Sequence, residues 1–354
     1  MSDIEILGDS SGIFLYSRRL VILIDPMGNK PSPTLKPDII LISHAHSDHV
    51  RGLKSVYKPG IPVIMSEPTL RILLMNGYKI RTEDIFLLSP GDTIDFKNIQ
   101  ITAYNAGHII GSLMFSIDFG RIKIGYTGDF NYEDTVISYK ADVIDSDVLI
   151  LDATYGHPTF SFPPRHILYR LIREKIKQAI DNGFIPSLHG YSLGKGQELT
   201  RLAANFISGL ISVNSEIARY NKVYEDTSKV RLGDYIVGQI GDILVRDFKA
   251  SKKQSMPFIR KFLFTGWTIM FKNRHYGFPL SSHSSFVKLI DYVLKTQPSI
   301  IFTLYKYKDF FASFLKNELG IPSRPVTDTP IGITTPSYSR KDHSKQSTID
   351  LYFS

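Results

Sequence analysis

His44-Ala45-His46-Ser47-Asp48-His49 places three imidazoles and a carboxylate within six residues. The run follows Pro37-Asp38-Ile39-Ile40-Leu41-Ile42, which reads as a buried strand, and precedes Val50-Arg51-Gly52-Leu53, which reads as the start of a helix. Where a strand enters a tight turn, side chains at alternate positions point into one cavity. His44 and His46 can therefore share one metal ion, while Asp48 and His49, turned away from them, reach a second. Imidazole nitrogen and carboxylate oxygen donors predict zinc, with manganese as the alternative. A scatter of histidines on a surface turn would have neither this density nor this strand-turn setting.

With 354 residues the chain has room for two domains, or for one large domain carrying an insertion, and 43% of it is hydrophobic. It has no cysteine, so disulfides and thiolate ligands are excluded and His, Asp and Glu remain as metal donors. Met1-Ser2-Asp3-Ile4-Glu5 resembles no leader, and nowhere do about eighteen apolar residues run together. The expectation is an intracellular protein, cytoplasmic or nucleoid-associated, without a membrane span. A net charge of +8 favours a polyanionic partner.

From Ile4 to Asp152 the pattern is one of short β-rich runs, such as Val21-Ile22-Leu23-Ile24, Met114-Phe115-Ser116-Ile117 and Val148-Leu149-Ile150-Leu151. Pro163 and Pro164 then open a helical pattern through Leu168, Ile172, Ile176 and Ile180, ended by Gly183, and an α/β texture continues to about Gly266. After His283 come a helix from Phe286, a strand from Ile300 and a helix near Phe310, which read as the closing part of the first domain. From Pro325 onward Pro, Ser, Thr and charge predominate without apolar period, predicting a solvated tail.

Two metals need more ligands than one hexapeptide supplies. Downstream, His108 stands in Gly107-His108-Ile109-Ile110-Gly111, Asp129 emerges after Ile122 to Tyr126 in Thr127-Gly128-Asp129, and Asp25 ends the run Val21 to Ile24. In this order with the hexapeptide, these residues resemble the metallo-β-lactamase family. The resemblance implies an αββα sandwich, with His44, His46 and His108 on the first metal, Asp48 and His49 on the second, and Asp129 on both. Asp25 then stands behind the ligands as an orienting carboxylate.

Leu151-Asp152-Ala153-Thr154-Tyr155-Gly156 resembles the entry to the β-CASP insertion of the nucleic-acid-processing branch, where Asp152 would orient a metal-bound histidine. Tyr191-Ser192-Leu193-Gly194-Lys195-Gly196 resembles the glycine turn of that insertion, and Phe278-Pro279-Leu280-Ser281-Ser282-His283-Ser284 its second motif. The resemblance makes His283 the remaining ligand of the second metal and a candidate to assist departure of the leaving group. Lys195, Ser192, Arg165 and Ser284 are the expected nucleic-acid contacts. The implied division is 1–155 and 283–324 for the sandwich, 156–282 for the insertion and 325–354 for the tail.

The strand Ile300-Ile301-Phe302-Thr303-Leu304-Tyr305 puts the apolar Leu304 where RNA enzymes of the branch carry a histidine, resembling the Artemis-like DNA nucleases. Phe264-Thr265-Gly266-Trp267 and Gly277-Phe278-Pro279 are similar to bacterial ligase-associated DNA exonucleases. In the tail, Gln346, Ile349, Tyr352 and Phe353 resemble the box that docks on the sliding clamp PCNA. The expectation is a dizinc DNA nuclease, 5′-to-3′ in mode. An RNA-processing nuclease of the same fold and a non-catalytic scaffold binding nucleic acid or the clamp are the alternatives.

Overall fold

The computed structural model describes residues 4–17, 19–28, 35–206, 208–253, 256–271 and 276–333. Two seven-stranded sheets face each other. The first runs in the order Ile331–Ile333, Ile4–Asp9, Gly12–Ser17, Leu20–Ile24, Ile39–Leu41, Val63–Met65 and Ile85–Leu87. The second runs Ser323–Pro325, Ile300–Leu304, Val148–Asp152, Lys123–Tyr126, Leu113–Asp118, Ile99–Asn105 and Thr93–Phe96.

Strand alternation explains why both faces of each sheet are covered. Ile22 and Ile24 point inward to meet Phe115, Ile117, Ile124 and Ile150 of the facing sheet, while Leu23 between them packs outward with Val50, Leu53 and Leu73 of the helical layer. In the second sheet Ile150 points inward, whereas Leu149 and Leu151 meet Phe286, Leu289, Val293 and Phe311 on the outside. Each such buried Leu or Ile contributes roughly 1.5–3 kcal/mol. The result is the αββα sandwich that the sequence implied.

A third sheet, six-stranded and parallel throughout, is built from residues between the neighbouring strands Val148–Asp152 and Ile300–Leu304. Its core joins Leu188, Val213, Val245 and Phe262 to the apolar faces of the helices Arg165–Asp181, Lys195–Phe206 and Ser215–Thr227. The chain thus leaves the sandwich at Asp152 and re-enters it beside the same strand, with Asp152 paired to Leu304.

Residues 325–333, expected to belong to a solvated tail, are part of the sandwich. Ser323–Pro325 pairs with Ile300–Leu304, and Ile331–Ile333 pairs antiparallel with Ile4–Asp9, covering the edge of the first sheet. Val326, just past the first of these strands, and Ile333 in the second enter the core, and three-residue strands are too short to show a period in sequence. The box from Gln346 to Phe353 lies outside the described residues. Among these, no helix is long and apolar enough to cross a membrane.

Candidate metal centre

The loop after Ile39–Leu41 turns at Ser43 and His44 and enters the one-turn helix Ser47–Val50, which carries His49 back toward Asp25. Two glycines allow the other ligands to approach. Gly128 has φ +51°, and a Cβ there would stand 2.9 Å from Ser43, so only glycine lets the strand end deliver Asp129 beside His44. Gly107, at φ +66°, leads into His108 with similarly little room.

Three imidazole nitrogens converge. His44 Nε2 lies 3.0 Å from His46 Nδ1, which lies 3.1 Å from His108 Nε2, and Asp129 Oδ2 stands 3.7 Å from both His44 and His108. The opposite ring nitrogens fix the tautomers. Ser43 Oγ donates to Asp25 and so accepts from His44 Nδ1 at 2.9 Å; His108 Nδ1 donates to the Ser282 carbonyl at 2.7 Å, and His46 Nε2 to the Leu193 carbonyl at 3.3 Å. The converging nitrogens therefore carry lone pairs and no hydrogens. Burial holds all three histidines below the usual imidazole range, His44 and His108 well below it, so they are neutral donors. Bare nitrogens beside a buried carboxylate are a donor set for a divalent cation, which fits this site.

A second lobe shares Asp129. His49 Nε2 lies 3.3 Å and His283 Nε2 3.6 Å from Asp129 Oδ2. Behind His49, Asp25 receives its Nδ1 at 2.9 Å, the Tyr126 hydroxyl at 2.8 Å and both Ser43 donors. Behind His283, Asp152 receives Nδ1 at 2.9 Å. Burial lowers both imidazoles, but the carboxylates outweigh it: Asp129 and Asp25 hold His49 well above its usual range, and Asp129 and Asp152 raise His283 to about 9. This lobe is the anionic one and attracts a cation or a proton.

The sequence placed other residues less well. Asp48 is exposed on the cleft wall and its carboxylate joins none of the converging donor groups. Arg165 and Lys195, expected to meet nucleic acid, are buried and paired with Glu198: Arg165 Nη1 reaches it at 2.5 Å and donates at 2.6 Å to the Ser281 carbonyl, and Lys195 bonds its other oxygen. Burial lowers Lys195 to about 8. Two cations on one buried carboxylate form a structural staple. Ser284 is buried, accepting from Tyr132 N and donating to the Phe130 carbonyl, and Ser192 lines the cleft while donating to Glu216.

Leu304 is buried among sandwich residues; the neighbouring Tyr305, at φ 71°, turns into the cleft instead, with its hydroxyl 3.2 Å from that of Tyr126. No period or motif announces a bulky residue with positive φ. The cleft, of about 940 Å³, has Arg51, Lys54 and Lys249 among its lining residues, all exposed and in no ion pair among the described residues. Nothing in sequence separates these cations from other surface lysines and arginines.

Residues 21–177 match a family model described as a Beta-lactamase superfamily domain. An RNase J-like protein of Methanocaldococcus jannaschii is 30% identical over 185 residues, covering 48% of this chain and 44% of the relative. The endoribonuclease YSH1 of Candida albicans is 29% identical over 306 residues (73% and 34%), and a probable DNA ligase of Opitutus terrae 25% identical over 329 residues (84% and 31%). The chain spans less than half the length of each of these relatives.

Proposed function

We propose that this protein is a metal-dependent phosphodiesterase that hydrolyses nucleic acid, with DNA as its substrate. The carrying observation is the set of bare nitrogens of His44, His46 and His108 converging with Asp129 on the wall of a cleft bordered by the exposed cations Arg51, Lys54 and Lys249. His44, His46, His108 and Asp129 would hold one zinc ion, and Asp129 and His49 a second, with manganese as the alternative occupant. Bound cations supply Lewis-acid stabilisation of charge developing on the phosphate and lower the pKa of the attacking water. Asp152 accepts from His283 Nδ1 and so aims Nε2 toward Asp129, where it is placed to protonate the departing sugar oxygen. Arg51, Lys54 and Lys249 provide charge for the backbone phosphates.

Support for DNA comes from likeness along 84% of the chain to a protein named for DNA ligation; Leu304, packed in the sandwich core and absent from the cleft wall, does not bear on the choice. A reading as an RNA nuclease is favoured by the match over 306 residues to a protein named as an endoribonuclease. End-labelled DNA and RNA of equal sequence, incubated with zinc or manganese at matched salt, test both. Faster DNA cleavage is expected; RNA cut tenfold faster would reverse the choice, and no cleavage of either would sink the nuclease reading. Gln346, Ile349, Tyr352 and Phe353 are proposed to dock the protein on a sliding clamp, a reading supported by their spacing alone.

A further inference from the structure

A band of rings leads away from His283. Tyr155 lies edge-on to it at 5.8 Å and packs against Trp267 at 4.9 Å. Lys306 Nζ sits 4.2 Å over the Trp267 ring and 5.9 Å from Tyr307, which meets His157 at 5.5 Å; His157 packs on Phe310 at 4.4 Å. The fully buried Phe160 underlies the band, 5.2 Å from both Trp267 and Tyr307. Trp267 lines the metal-site cleft, and at the far end Phe310 is 41% exposed.

We propose that this band is a binding track for unpaired nucleobases, so that the cleft receives a single-stranded end whose bases stack along Trp267 and the His157–Phe310 pair; this rests on the nucleic-acid reading given above. Three features favour that occupant. The band is continuous with the metal centre through Tyr155 and His283, so a strand lying on it places a phosphate beside the converging donor groups. Lys306 is exposed, in no ion pair among the described residues, and its ammonium caps one face of the indole, putting on the band the positive charge that a strand with anionic backbone requires. Tyr307 and His157 are partly open, whereas rings serving only as core would be covered like Phe160. Duplex bases, stacked on each other, offer these rings no free face.

Trp267 is the chain's single tryptophan, so its emission reports on this band alone. The full chain is titrated in EDTA, where the strand stays intact, with a short oligothymidylate and with an abasic oligomer of equal length and charge. The oligothymidylate is expected to quench Trp267 and the abasic strand to leave it bright. Phe310→Ala, at an exposed position, is expected to weaken oligothymidylate binding about tenfold, the loss of one stacked base. Equal quenching by the abasic strand, or unchanged affinity in Phe310→Ala, would overturn the track. Cleavage of DNA on adding metal while Trp267 stays silent overturns the track and leaves the nuclease reading standing. Base-dependent quenching with no cleavage upholds the track and removes the nuclease reading.

Discussion

Asp129 Oδ2 lies within 3.3–3.7 Å of four imidazole nitrogens, those of His44, His49, His108 and His283. Asp129→Asn removes the negative charge that both lobes share. The purified chain is expected to carry close to two transition-metal ions and the variant at most one, by elemental analysis; a metal-free, fully active wild type would refute the assignment. Asp25→Asn weakens metal binding by another route, since Asp25 orients His49 directly and His44 through Ser43. A loss of about 10–100-fold in competition with a chelator is expected. His283→Gln separates proton donor from ligand: turnover is expected to fall about 100- to 10,000-fold with metal content unchanged, and loss of one ion would make His283 a ligand instead. Most of these side chains were legible in the sequence because each sits at a strand end beside glycine or within the dense His44–His49 run. Their orienting carbonyls, Leu193 and Ser282, were not, because a backbone acceptor has no residue signature.

Among the elements, the helices Arg165–Asp181 and Lys195–Phe206 are joined through Glu198, which takes Arg165, Lys195 and the Tyr169 hydroxyl. Glu198→Ala leaves buried Lys195 without its carboxylate and Arg165 with Glu133 alone, and should cost about 3–5 kcal/mol of stability by chemical denaturation. This is why Arg165 and Lys195 misled the sequence reading: a cation at a helix start looks the same whether it awaits a phosphate or a carboxylate brought in by folding. On the strand Ile185–Gly190, His189 is enclosed between Ser187 Oγ and the Asp247 carbonyl, and burial lowers it to about 4. The unfolded chain therefore binds the extra proton between pH 6.5 and 4. Stability falls as pH drops through that window, by about 3 kcal/mol from this residue. Comparing His189→Gln with wild type at pH 7 and pH 4 should show the variant losing that much less; equal losses would refute the burial argument. Apolar alternation carried the sandwich strands into view, while the short edge strand Ile331–Ile333 is defined only by its pairing with Ile4–Asp9.

For the molecule as a whole, the proposed tail box and the metal centre should be separable. Replacing Tyr352 and Phe353 by alanine is expected to abolish clamp binding in calorimetry, where such aromatic anchors contribute ~2 kcal/mol or more each, and to leave cleavage of short oligomers unchanged. If the double variant unfolds or loses that cleavage, those residues belong to the core and the docking idea fails. The inserted unit has a consequence for the order in which the machinery is completed. The ligands from His44 to Asp129 are all synthesised before the chain departs at Asp152, whereas His283 arrives only after the insert, on a return segment held by Ser284 to the Phe130 carbonyl. The Asp152–His283 hydrogen bond consequently joins the outgoing and incoming leads of the insert. His46 also takes its orienting carbonyl, Leu193, from inside the insert, and His108 takes Ser282 from its end, so a chain whose insert has not folded has the donor residues without their supports, and the maturation of the whole centre waits on the seating of the insert against the sandwich.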